Sequence, residues 1–174
     1  MAKRTESTGM LDVLEILADQ HTEVDDLIEK LESKRGNRGQ LFTELADKLA
    51  AHAGVEEKIF YPRVMHKDTE EMLQEAVEEH LAVKRLLADM LALDIEEDED
   101  EFDAKLSVLK EQVSHHAHEE EEGKLFPILR KLLDAEDRAA IGNDVLALFE
   151  QLMEQQPRQH VPDEIGEAAH LPSP

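Results

Sequence analysis

The stretch HAGVEEKIFYP occupies residues 52–62, and a close echo of it, HAHEEEEGKLFP, occupies residues 116–127. Each runs from a histidine through an acidic turn to an aromatic residue and a proline. Outward from both, apolar residues recur at steps of three and four, the period of a helix with one buried face. Leu41, Leu45 and Leu49 lead into His52, and Ile59 and Phe60 continue the line beyond Glu56. Phe102, Leu106, Leu109 and Val113 lead into His116, with Ile128 further on. Few β-branched or aromatic clusters compete with this reading, so helices are predicted over about residues 40–65 and 101–133.

A second pair of segments repeats in the same way. QHTEVDDLI (residues 20–28) and EHLAVKRLL (residues 79–87) place His21 and His80 on apolar stripes formed by Leu14, Leu17, Val24, Ile28 and Leu31, and by Leu73, Ala76, Val83 and Leu87. Helices are predicted there over about residues 10–33 and 69–93. The chain thus reads as a duplicated helical hairpin with approximate twofold symmetry. A fifth helix is predicted over about residues 136–155, with Asp134 as its cap and acidic residues in its first turn. Short connections between long helices favour antiparallel neighbours. The expected fold is all-α: an antiparallel up-down-up-down four-helix bundle over residues 10–156, including a shorter fifth C-terminal helix. Residues 1–9 read as a flexible N-terminus. Residues 157–174, PRQHVPDEIGEAAHLPSP, read as a poorly packed, disordered tail.

Each of four helices therefore turns a histidine toward the core, and two add a glutamate one turn later. A carboxylate is almost never fully buried unpaired, because desolvating its charge is costly. A bound cation removes that penalty. Spacing of four on a helix puts His52 with Glu56, and His116 with Glu120, on one face. The candidate ligands are His21, His52, Glu56, His80, His116 and Glu120, a set suited to a dinuclear site. Counted back from Pro127, Glu121 rather than Glu120 matches Glu56, but the stripe favours Glu120. His115 and His118 lie off the stripe and are expected at the surface, and Tyr61 and Phe126 are expected to serve packing. His66, His160 and His170 are assigned no role.

Composition bounds the remaining choices. With 174 residues, one domain is expected. Against 42 acidic residues stand 19 basic ones, a net charge of −23, which disfavours nucleic acid and anionic membranes as partners. There is no cysteine, which excludes disulfides, thiolate metal sites and iron–sulfur clusters. Ligation by imidazole and carboxylate alone suits iron, manganese or zinc. No apolar run is long enough to span a membrane and the N-terminus lacks a signal-like core, so a soluble, cytoplasmic protein is expected.

His21, HAGVEEKIFYP, His80 in EEHLAVKRLL, and HHAHEEEEGKLFP together resemble the hemerythrin-like, or HHE cation-binding, family, over about residues 11–155. The resemblance implies a four-helix bundle holding two iron ions joined by an oxo or hydroxo bridge. By that resemblance His21, His52, His80 and His116 are terminal ligands, and Glu56 and Glu120 are bridging or terminal carboxylates. Two departures bear on function. The oxygen-carrying members have a further histidine one turn away on the third helix, where this chain has Ala76 on one side of His80 and Lys84 on the other. Their fourth-helix carboxylate is an aspartate five residues after its histidine, whereas this chain has glutamates at both four and five. A carboxylate such as Glu79, or water, is expected in place of the missing nitrogen. Reversible oxygen carriage is therefore disfavoured. The leading expectation is binding of, or reaction with, dioxygen, nitric oxide or peroxide, with peroxide consumption the first activity to assay. The alternatives are a non-catalytic module that stores or senses iron, and a helical interaction protein without metal.

Overall fold

The computed structural model describes residues 11–174, and the expectation for residues 1–9 lies outside them. Among the described residues every regular element is helical. α1 spans Val13–Glu32 and starts where the Asp12 carboxylate accepts from the Leu14 N–H at 2.9 Å, satisfying one of the unpaired amides of a helix start. After Gly36, whose φ of 77° only glycine adopts without strain, Asn37 caps α2, Arg38–Val55, by accepting from the Gln40 N–H.

Beyond α2 the chain does not stop winding but changes pitch. Residues Glu56–Phe60 form a π-turn, π1, and Tyr61–Val64 a last short helix, α3. α4 is Glu70–Leu91. α5, Glu99–Ser114, runs into a longer π-stretch, π2, over His115–Leu125 and then α6, Phe126–Leu132. In the π-stretches each amide bonds five residues back rather than four, as Tyr61 does to the Glu56 carbonyl and Phe126 to the Glu121 carbonyl. Both prolines, Pro62 and Pro127, sit one residue after such a bond, in the first turn of the α-helix that follows, where a missing N–H costs least. Asp134 caps α7, Ala135–Glu154, as its sequence suggested. At 20 residues α7 is as long as α1, and it packs on both α1 and α2.

The expectation of a poorly packed tail after Gln156 is corrected. Gln156 takes a left-handed turn (φ 52°) into a 3₁₀ helix, Pro157–Asp163, that lies against α2 and α4. Val161 is buried there, and the Arg158 guanidinium meets the buried Asp47 carboxylate at 2.6 Å. Further on, Arg85 donates to the Ile165 carbonyl, and Ala168, Ala169 and Leu171 rest on the core. The segment is polar because its contacts are ion pairs, and composition does not reveal a tertiary partner.

The core has two apolar clusters. One gathers Leu14, Leu17, Phe60, Leu73, Phe126 and Leu129, and the other Ile28, Leu45, Leu87, Met90, Phe102 and Leu106. Along each of four helical segments one histidine falls between the residues that feed the two clusters: His21 between Leu17 and Val24, His52 between Leu49 and Val55, His80 between Val77 and Leu87, His116 between Val113 and Leu125. A polar layer is thus sealed between two apolar ones.

Candidate metal centre

The four histidines converge by their Nε2 atoms. His21 and His52 stand 3.2 Å apart at Nε2, and His80 and His116 stand 3.1 Å apart. Two carboxylates lie between these pairs, and each offers one oxygen to either side. Glu56 Oε1 lies 3.2 Å from His52 Nε2, while its Oε2 lies 3.1 Å from His80 Nε2 and 3.9 Å from His116 Nε2. Glu121 Oε2 lies 3.2 Å from His21 Nε2, and its Oε1 lies 3.9 Å from His116 Nε2. Two overlapping donor groups result, His21/His52/Glu56/Glu121 and Glu56/His80/His116, all of them buried.

Five of the six candidate ligands meet here; Glu120 does not. It lies one position off the inner face and pairs with Lys124 at 2.6 Å, while Glu121 is 1 % exposed. The cause is the π-winding of π2. At four residues per turn His116 would share a face with Glu120, but the wider π-turn brings the fifth residue round instead. The mark of this in the sequence is the distance to the proline: Glu56 and Glu121 each precede theirs by six residues, with an aromatic between.

Each imidazole is held from behind. His21 Nδ1 donates to Glu122 (2.6 Å), His52 Nδ1 to the Gln20 side-chain oxygen (2.7 Å), His80 Nδ1 to Glu57 (3.0 Å) and His116 Nδ1 to Glu79 (2.7 Å). A carboxylate or amide oxygen can only accept, so each Nδ1 carries a hydrogen and each Nε2 can present a lone pair to the centre. The arrangement follows the sequence repeat: Gln20 and Glu79, each preceding a histidine, anchor the histidine of the next helix, and Glu57 and Glu122, each following a glutamate of the centre, anchor His80 and His21. Glu79 therefore does not replace the missing nitrogen ligand beside Ala76; it orients His116 from outside.

Tyr61, expected as packing, reaches the centre. Its hydroxyl donates to Glu121 Oε1 at 2.8 Å, lies 3.2 Å from Glu56 Oε2, and stands 3.4 Å from His80 Nε2. Its ring stacks on His80 as Phe126, its counterpart in the repeat, stacks on His21. The five-residue step from Glu56 to Tyr61 matches that from Glu121 to Phe126, but the apolar stripe gave no reason to separate a phenol from a phenyl. His118 is half-exposed and bonds Asp25 and Glu122, one contact removed from His21.

The electrostatics show groups in need of cations. Burial favours a neutral Glu56, but His52, His116 and His80 outweigh it and hold the carboxyl well below its ordinary value. Burial likewise opposes charging His116, yet Glu121, Glu56 and Glu79 prevail and raise it well above the ordinary imidazole value; His80 and His21 are raised in the same sense. Tyr61 is pushed well up by burial and then by the two carboxylates. Protons on imidazoles stand where metal ions would offset the same negative charge. Glu56 Oε1 and Glu121 Oε2 are buried without a hydrogen-bond partner, and unsatisfied carboxylate oxygens of this kind are costly unless a cation takes them up. The residues present therefore fit a metal site.

Neither the curated proteins nor the solved structures provide a match. Residues 12–129, more than half of the chain and the span that carries every histidine and carboxylate of this centre, match the model of the hemerythrin HHE cation-binding domain, and the chain belongs to that family.

Proposed function

We propose that the chain is a non-haem diiron protein that binds or reacts with dioxygen, nitric oxide or hydrogen peroxide. The observation that carries this reading is the sealed donor set with its two partnerless carboxylate oxygens, Glu56 Oε1 and Glu121 Oε2. One ion would be held by His21, His52, Glu56 and Glu121, the other by His80, His116 and the second oxygens of the two glutamates, with the Tyr61 oxygen facing the latter. In this reading the long helical segments form the antiparallel up-down-up-down bundle expected from their connections. Bound iron would supply the electron source and sink that the side chains lack.

What the chain itself contributes is selection, orientation and exclusion of water. A cavity of about 30 Å³ abuts the imidazoles, lined by Val24, Leu49, Leu87 and Val113 with Lys84 at its edge. That is room for a water-sized guest, which favours small ligands over bulky ones. Gln20, Glu57, Glu79 and Glu122 hold the imidazoles in one tautomer. The Tyr61 hydroxyl, within hydrogen-bond reach of both carboxylates, is placed to give a proton to a ligand in the centre and to recover one from it.

Anaerobic loading of the metal-free protein with ferrous iron should give about two ions per chain by elemental analysis, and the loaded protein should consume added hydrogen peroxide. Glu56→Gln and His116→Ala should lose both properties together. Saturation at one ion or none, in protein that remains helical, would defeat the dinuclear reading.

A further inference from the structure

Two of the breaks in the twofold repeat make the two halves of the centre unlike. Where one half has Phe126 against His21, the other has Tyr61 against His80. The Tyr61 hydroxyl bonds Glu121 Oε1 and lies close to Glu56 Oε2, the very oxygens that face His80 and His116. On the opposite side Glu56 Oε1 and Glu121 Oε2 have no hydrogen-bond partner. An ion entering between His21 and His52 thus meets four converging donors and breaks no bond to the phenol. An ion entering between His80 and His116 must compete with the phenol for both carboxylates.

The second break works in the other direction. Gln20, behind His52, is neutral, and its counterpart Glu79, behind His116, is charged. Together with Glu57 this places two carboxylates behind the His80/His116 pair against one behind the other. Those charges lie a whole imidazole ring away, and Glu79 is 21 % exposed, so solvent screens it. Donors at bonding distance outweigh charges one ring removed.

We infer that the two positions load in order: the His21/His52 position first, and the His80/His116 position second, when the Tyr61 hydroxyl gives up its hold on Glu121 and Glu56. The inference rests on the dinuclear reading above and adds the sequence of filling and the residue that imposes it. It also gives the one-metal form a definite structure, with the ion beside Phe126 and the phenol undisturbed.

Tyr61 is the only tyrosine and there is no tryptophan, so intrinsic emission reports on this one position. Titration of the metal-free full chain with zinc(II), a redox-inert probe, followed by calorimetry and by tyrosine emission, tests the order. Two steps are expected, the first at least about tenfold tighter than the second. Most of the emission change should fall in the second step. His80→Ala should retain the first step with little change in emission, and His52→Ala should lose it. Emission that changes mainly with the first equivalent, or simultaneous filling in a single step, overturns the order while leaving a dinuclear site standing. Absence of zinc binding in folded protein, repeated with ferrous iron under nitrogen, overturns the metal reading itself and the order with it.

Discussion

Glu120 and Glu121 are neighbours of identical chemistry, yet one is paired with Lys124 near the surface and the other lies sealed between His21 and Tyr61. Glu121→Gln keeps the shape and removes a charge that faces both histidine pairs. It should weaken metal binding by more than about a hundredfold, since even changes one shell further out cost roughly ten- to a hundredfold. Glu120→Gln should leave affinity within about twofold, because an exposed pair such as Glu120–Lys124 contributes little. Competition against a chelator measures both, and equal losses would show that the inner face carries either residue. His21, His52, Glu56, His80 and His116 were legible because a polar residue on an apolar stripe is conspicuous. Tyr61 was not, since a phenol satisfies the stripe as well as a phenylalanine does and its hydroxyl shows its partners only once the helices are packed. Gln20, Glu57, Glu79 and Glu122 were hidden for a related reason: each lies beside one candidate ligand in sequence but anchors the histidine of another helix.

The winding of single elements decides which of these residues the centre receives. The long helices were readable from the period of their stripes, and their ends fall within a few residues of expectation, as at Glu70–Leu91 against 69–93. A π-stretch is not readable in this way, because one extra residue per turn shifts the phase only locally and the stripe resumes afterwards at Phe126 and Leu129. Gly123 in π2 is five residues after His118, and a Cβ there would stand 3.0 Å from the His118 carbonyl oxygen. Alanine ordinarily favours a helix over glycine by about 1 kcal/mol. Here Gly123→Ala should do the reverse: the carbonyl must give way, the turn carrying Glu121 loosens, and the thermal midpoint falls by a few degrees. Metal affinity should fall with it while far-ultraviolet circular dichroism stays helical. A midpoint that rises instead would mean that π2 accommodates a methyl group freely. The 3₁₀ segment Pro157–Asp163 was missed for the opposite reason, since its order comes from Asp47 and the face of α2 and α4 rather than from any pattern of its own.

For the molecule as a whole the buried polar layer sets opposing responses to pH. Glu56, Glu57 and Glu79 are held below the ordinary carboxylate value of 4.5, so what they add to stability is complete above that value and lost as pH falls through their lowered native values. His21, His80 and His116 are raised above 6.5, so their contribution is complete below that value and lost as pH rises through the raised ones. The metal-free protein should therefore be most stable between these limits. Its thermal midpoint should drop from about pH 6 to about pH 9, while the gain on metal binding grows over the same interval because ligation needs neutral imidazoles. Calorimetry of the two forms across that range checks it, and parallel pH profiles would contradict it. No described helix is long and apolar enough to cross a membrane.

The candidate ligands also span the chain. His21 and Glu121 lie 121 − 21 = 100 positions apart, and His52, Glu56, His80 and His116 fall between them. A chain without cysteine has no disulfide, yet metal held by these residues would tie its distant parts into closed loops, and loops of this length restrict an opened chain strongly. The ion pair would then act as a removable staple. Loaded protein should resist protease digestion far longer than metal-free protein of the same helicity, and a chelator added midway should restore rapid cleavage.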